Sequence, residues 1–299
     1  MNNNAITSVI IWSIVAAALV ILLVLGAVLK PVFYIAKGEP REIYSDEKDG
    51  NLVDNIKISW FSGNVHVDRS ADDIIRVKET SRYNVEPMDI SMTDGELMIS
   101  QKRSFGFYFF GFGARSSDLR LSLPEKQYNE FVLNMTSGRS ELSGIEAAEM
   151  AIKLTSGRLK MHRLKSENVK ATMTSGNIEA SGISSDKLTL KMTSGDAEIN
   201  GDFEDINCGI TSGRAEIESG VVPVRLDTDI TSGKVFITIP DNDGFTLKTK
   251  KTSGKIESDF ELKTSLDDDG IYTYGKGAES GRSYSVKITS GKFDLLKIR

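Results

Sequence analysis

From residue 131 onward apolar and polar side chains alternate with a period of two, and at regular intervals Thr-Ser-Gly breaks the alternation. Period-two alternation marks a strand with one dry and one wet face. The triplet glycines are Gly138, Gly157, Gly176, Gly195, Gly213, Gly233, Gly254 and Gly291, at steps of 19, 19, 19, 18, 20, 21 and 37 residues. A repeat near twenty residues is the mark of a solenoid, whose single unit cannot bury its apolar face alone.

The alternation assigns the two sides of each strand. Two residues after the glycines stand Ser140, Leu159, Ile178, Ala197, Ala215, Val235, Ile256 and Phe293, and seven before stand Phe131, Met150, Val169, Leu188, Ile206, Leu226, Leu247 and Tyr284. These mostly apolar positions point inward. Three before the glycines the set is again apolar, with Lys251 as its exception. Each coil thus holds two short strands with the triplet as the corner between them. Glycine suits that corner because it tolerates positive φ and lacks a Cβ that would strike the next coil about 4.8 Å away. Serine and threonine hydroxyls are expected to bond backbone groups at the bend.

The same pattern is worn but visible earlier, at Gly63 in "SWFSGNVHV" and Gly95 in "SMTDGELMI". The chain therefore reads as an all-β, single-stranded parallel β-helix of coils of about 19–21 residues over 55–299. Irregular coils occupy 55–130 and regular ones 131–258. A degenerate coil with a protruding loop fills 259–285, and a final coil over 286–299 closes the stack.

Upstream the pattern changes. Residues 5–29 carry no charge, and Trp12, Phe33 and Tyr34 stand near the two ends of the run. A helix of that length spans a bilayer, and aromatics favour its interfaces. A transmembrane helix is expected over 5–30, after a tail of residues 1–4 and before a juxtamembrane linker over 31–54. A cleaved signal peptide fits less well, because the segment has no basic start, a long apolar run and no small-residue cleavage site. Lys30, Lys37 and Arg41 would place the domain in the cytoplasm by the positive-inside rule.

A net charge of −5 argues against a dedicated nucleic-acid binder. The one cysteine, Cys208, excludes an internal disulfide and a cysteine zinc site, and its inward offset makes it a core residue.

Candidate chemistry is sparse. Eight repeated serines are unsuited to a nucleophile needed once, and His66 and His162 are the two histidines, with no G-x-S-x-G present. Carboxylates recur three after the glycines at Glu141, Glu179, Glu198, Glu216, Glu257 and Asp294. They could ladder calcium, but Arg139, Arg158, Arg214, Lys234, Lys255 and Lys292 lie beside them, so a balanced, solvated face is expected. Asp267, Asp268 and Asp269 read as a solvated loop. A glycan-cleaving enzyme would need a convergent carboxylate pair, and none stands out. No catalytic, cofactor-binding or metal-binding residue is assigned. The segment "SFGFYFFGFG" is the most unusual: Phe105, Phe107, Tyr108, Phe109, Phe110 and Phe112 would either plug the open end of the stack or contact a partner or the membrane.

The runs "VDNIKIS…SGNVHV" and "LRLSLPEKQYNEFVLNMTSG", followed by serial "TSG", resemble the bacterial putative-adhesin family, a domain of unknown function, over about residues 45–299. The resemblance implies a parallel β-solenoid, often behind one membrane helix, on bacterial envelope proteins, some accessory to envelope-stress signalling. It transfers no catalytic residue. It favours an outward-facing domain on the cell membrane, against the charge rule. The expected role is a non-enzymatic, membrane-anchored scaffold or binding module at the cell envelope. Its partners would be the bilayer, through 5–30, and an envelope polymer or membrane signalling protein. The alternative is an envelope enzyme acting on polysaccharide.

Overall fold

The computed structural model describes residues 39–102, 116–264 and 270–298. The expected membrane helix over 5–30 and the aromatic segment 104–113 lie outside the described residues. Among the described residues there are strands and two short 3-10 turns, Gly50–Leu52 and Gly277–Ser280, and no helix long and apolar enough to cross a membrane.

The repeat folds as stacked coils whose legs pair in parallel. Strand Gln127–Ser143 pairs with Glu146–His162, and that strand with Lys165–Met192, so that Phe131, Met150 and Val169 lie in line. Beyond the triplet, Leu142, Met161 and Ala180 form a second column. All six are buried, and the core is a slab held between the two legs of every coil. Burying each large aliphatic side chain contributes about 1.5–3 kcal/mol, a gain that exists only once a neighbouring coil covers it.

The triplet is the corner, and its glycine is required twice over. Gly157 has φ +126°, and a Cβ there would sit 2.0 Å from the carbonyl oxygen of Gly138. Gly138 stands in the same relation to Gly63, at 1.9 Å. Backbone bonds carry the stacking: Ser194 N–H donates to Thr174 O at 2.9 Å and Arg214 N–H to Gly195 O at 2.9 Å. The hydroxyl contacts expected at this corner are found mainly at the opposite bend. There buried Ser166 Oγ lies 2.9 Å from Ala148 O in the coil before, and Ser185 Oγ 3.1 Å from Glu167 O. At the triplets, Ser137 Oγ reaches Phe61 O at 3.5 Å.

The order of coils in space departs from their order in the chain at both ends. Strand Asn55–Arg69 pairs on one side with Gln127–Ser143 and on the other with Glu96–Ser100 and Asp118–Leu123. Strands Glu96–Ser100 and Asp118–Leu123 therefore lie outside the coil that precedes them in sequence. At the far end, Ser283–Ile288 pairs with both Arg225–Ile230 and Gly244–Lys251, and Lys292–Lys297 with both Lys234–Ile239 and Lys255–Ser258. The expected closing coil over 286–299 is thus interleaved, and the coil over 244–258 is the outermost. Gly291 accordingly packs on Gly233, and Gly254 on Gly291.

Antiparallel strands cover the ends. Ile74–Ser81 pairs with Asp118–Leu123, and Arg41–Asp49 with Ile74–Ser81, while Asp89–Thr93 returns along Glu96–Ser100. Residues 41–53 are therefore part of the folded unit rather than of a linker over 31–54, and Val53 is fully buried. Fully buried Glu79 accepts the Met88 N–H at 2.7 Å inside this cap. At the other end Ile271–Gly275 runs antiparallel to Gly244–Lys251, with Lys263–Thr264 beside it. In place of the degenerate coil expected over 259–285, the described strands Lys263–Thr264 and Ile271–Gly275 thus pair antiparallel. Tyr274 joins Phe245, Phe260 and Tyr284 in an aromatic cluster with centroids 4.5–5.4 Å apart. Covering edge strands in this way blocks open-ended pairing with other chains.

Candidate functional site

Two broad outer faces remain, one per leg, and each is built of columns in which one residue per coil lies over its counterpart. The face after the triplets carries the alternating charges. Lys160 lies 2.9 Å and Arg158 3.9 Å from Glu179, and Lys292 bridges Glu257 at 2.7 Å and Asp294 at 2.6 Å. Arg214 pairs with Glu216, and Lys255 with Glu257. These hydrogen-bonded cations hold the Glu179 carboxyl below its ordinary range and bring that of Glu257 down to about 2. Where Phe236 replaces a carboxylate in this column, Arg214 lies over its ring at 4.7 Å. The pairing is partial: Glu198, in register between Glu179 and Glu216, forms no ion pair among the described residues. Among the described residues no group of three or more metal-ligating side chains converges.

The two histidines lie on this side. His66 Nε2 is 3.2 Å from Asp68 Oδ2, and His66 Nδ1 is 3.5 Å from Glu141. His162 Nδ1 is 2.9 Å from Ser181 Oγ, a contact that follows from their positions one coil apart. Both residues of that second pair are exposed.

The face before the triplets is different. Threonines of the triplets line one margin. Lys153, Lys170 and Lys191 share a shallow depression, are all exposed, and form no ion pair among the described residues. Nearer the cap, Gln101 binds the backbone just before Gly63. Its Oε1 accepts the N–H groups of Phe61 and Ser62 at 2.8 and 2.9 Å, and its Nε2 donates to Ser62 O. Farther along, a broad, open hollow of about 660 Å³ extends from Thr172 past Lys191, Gly209 and Asp229 to Lys287. Sequence reasoning passed over this hollow, because its floor is Gly209, a glycine outside the triplet series.

The glycines expected at corners fall as assigned along the stack: Gly63, Gly138, Gly157, Gly176, Gly195, Gly213, Gly254 and Gly291 have φ between +103° and +134°. A Cβ at Gly233 would stand 2.8 Å from Gly213 O although its φ is not positive, and Gly95 with φ +77° turns the hairpin of the cap instead. Cys208 is buried as its offset predicts, and desolvation pushes its thiol up to about 12.

Solved structures with this fold have low sequence identity to the chain. The structure titled a "putative adhesin" from Parabacteroides distasonis aligns at 15% identity and TM-score 0.51, over 87% of this chain and 98% of its own. A "putative adhesin" from Parabacteroides merdae aligns at 15% and 0.46, and a "putative lipid binding protein" from Parabacteroides distasonis at 16% and 0.45, each over 88% of this chain and 98% of its own. No curated protein matches the chain. Residues 53–296 match the family described as Toastrack DUF4097, and the chain belongs to that family.

Proposed function

We propose that this protein is a non-enzymatic binding module of the cell envelope, tethered to the membrane by residues 5–30 and facing outward. The observation that carries this reading is the face before the triplets, a rigid array that repeats every ~4.8 Å along the stack. Such an array offers a polymer or an extended partner evenly spaced, mostly polar contacts at successive steps. Backbone pairing fixes the columns, so little ordering entropy is lost on binding. The unpaired Lys153, Lys170 and Lys191 and the threonine margin supply donors along it. Its partner is an envelope polymer, or a membrane signalling protein in the same leaflet.

The decisive experiment treats intact cells with an external protease and follows the solenoid by immunoblot. Digestion without permeabilisation is expected. Protection until the membrane is broken would place the domain inside and end the envelope reading. Crosslinking in the same cells then reports what the face touches.

A further inference from the structure

Gly209 is out of place by every physical criterion that explains the other glycines. It is the last outward-facing residue of strand Asp196–Ile210 before the Thr211–Gly213 corner, with Lys191 on one neighbouring strand and Asp229 on the other. The equivalent positions of other coils carry side chains: Asn134, Lys153, Thr172, Lys191, Asp229 and Lys287. Its φ is not in the left-handed region, and a Cβ there would meet nothing closer than Leu190 O at 4.0 Å. Neither turn geometry nor crowding asks for glycine. A glycine inside a strand weakens it, and it commonly marks a place where a ligand comes close to the backbone.

We propose that the hollow over Gly209 binds one sugar ring of a glycan chain. The hollow of about 660 Å³ has polar walls of both signs. Lys191 and Asn207 offer donors, Asp227 offers an acceptor, and Thr193 and Thr211 offer hydroxyls that serve as either. Lys287 is committed to Asp229 at 3.0 Å, whereas Lys191 and Asp227 form no ion pair among the described residues. Lys191 and Asp229 stand two rungs apart, roughly 10 Å between backbones, which leaves room for a six-membered ring and its hydroxyls. The bare Cα of Gly209 is a flat floor on which the C–H face of such a ring can lie. Adjacent donors and acceptors suit vicinal hydroxyls, which donate to a carboxylate and accept from an ammonium. A phosphate-rich polymer fits less well, because the lining's two lysines are offset by Asp227 and Asp229.

This inference rests on the binding-module reading and names its ligand class. The test screens the full chain in detergent on an array of hexopyranose oligosaccharides and measures the best-retained one by titration calorimetry. Wild type is expected to retain at least one oligosaccharide. Gly209→Val, which fills the floor, is expected to weaken it at least tenfold while melting at the same or a higher temperature. Asp227→Ala is expected to weaken it similarly, and Lys160→Ala on the opposite face to leave it within twofold. Undiminished binding by Gly209→Val overturns the site. If no oligosaccharide is retained while crosslinking in cells still recovers an envelope partner, the sugar assignment falls and the module reading stands. If both fail, both fall.

Discussion

Three glycine-to-alanine substitutions separate the two demands that the stack makes on its corners. At Gly209 a Cβ meets only an atom 4.0 Å away and φ is ordinary, so neither strain nor collision arises. At Gly182 φ is +63° but the nearest atom is 3.6 Å away, so strain acts alone. At Gly157 φ is +126° and the new Cβ would stand 2.0 Å from Gly138 O, so both act together. Left-handed backbone costs a non-glycine residue about 1–2 kcal/mol. Relieving the collision needs more than ~1 Å of separation between two coils held by backbone hydrogen bonds. Disturbing two such bonds adds roughly another 1–3 kcal/mol. Gly157→Ala is therefore expected to cost about 2–5 kcal/mol and Gly182→Ala about 1–2 kcal/mol. Gly209→Ala should be neutral or stabilise by up to about 1 kcal/mol. At about 2 °C per kcal/mol for a domain of this size, the melting midpoints should fall by roughly 4–10 °C, fall by roughly 2–4 °C, and hold or rise. Thermal unfolding followed by far-ultraviolet circular dichroism reads all three. If Gly157→Ala melts no lower than Gly182→Ala, the coils do not abut at the triplets and the account of the corner is wrong.

Two further expectations probe the far end of the stack. Arg225 and Ser283 are register partners on adjacent strands, roughly 4.8 Å apart, so Arg225→Cys with Ser283→Cys should oxidise to a disulfide, detected by a gel shift under non-reducing conditions. Arg225→Cys with Thr246→Cys lies two rungs apart and should not, and the reverse outcome would refute the interleaved order. Glu257, brought from an ordinary 4.5 down to about 2 by Lys255 and then Lys292, stabilises the fold above its unfolded range, and this contribution is lost as pH falls toward 2. Melting midpoints taken between about pH 5 and pH 2 should therefore fall more steeply for wild type than for Lys255→Met; parallel curves would show that the pairing adds nothing.

The coil and its corners were legible because they rest on short-range rules. Alternation fixes which side of a strand is dry, and the columns through Phe131 and Leu142 are buried as that rule requires. What escaped was long-range order. Lys251 and Ser258 break the apolar columns, and both belong to the coil over 244–258, which has a parallel neighbour on one side only. Their polarity is the signature of a terminal coil, but in sequence the coil stands before another triplet and looks internal. The stretch "REIYSDEKD" read as a linker because charges crowd it, yet Arg41–Asp49 is an edge strand, where charge is what prevents unwanted pairing. Gly209 was hidden by its abundance class: among 26 glycines, only a column-by-column comparison of outward positions isolates it.

The interleaved arrangement of Gly244–Ser258 around Ser283–Lys297 has a consequence for biosynthesis. A solenoid whose windings follow chain order can zip up behind the ribosome, each new turn settling on its predecessor. Here the zipper must halt once Lys234–Ile239 is in place, because the surface it would next cover is reserved for Lys292–Lys297, 58 positions downstream (292 − 234). The aromatic residues Phe245 and Tyr284, stacked 4.5 Å apart in the finished molecule, meet only when that later stretch has been translated and threaded into its slot. Maturation of this end is thus a single late locking event rather than the last in a series of equal steps.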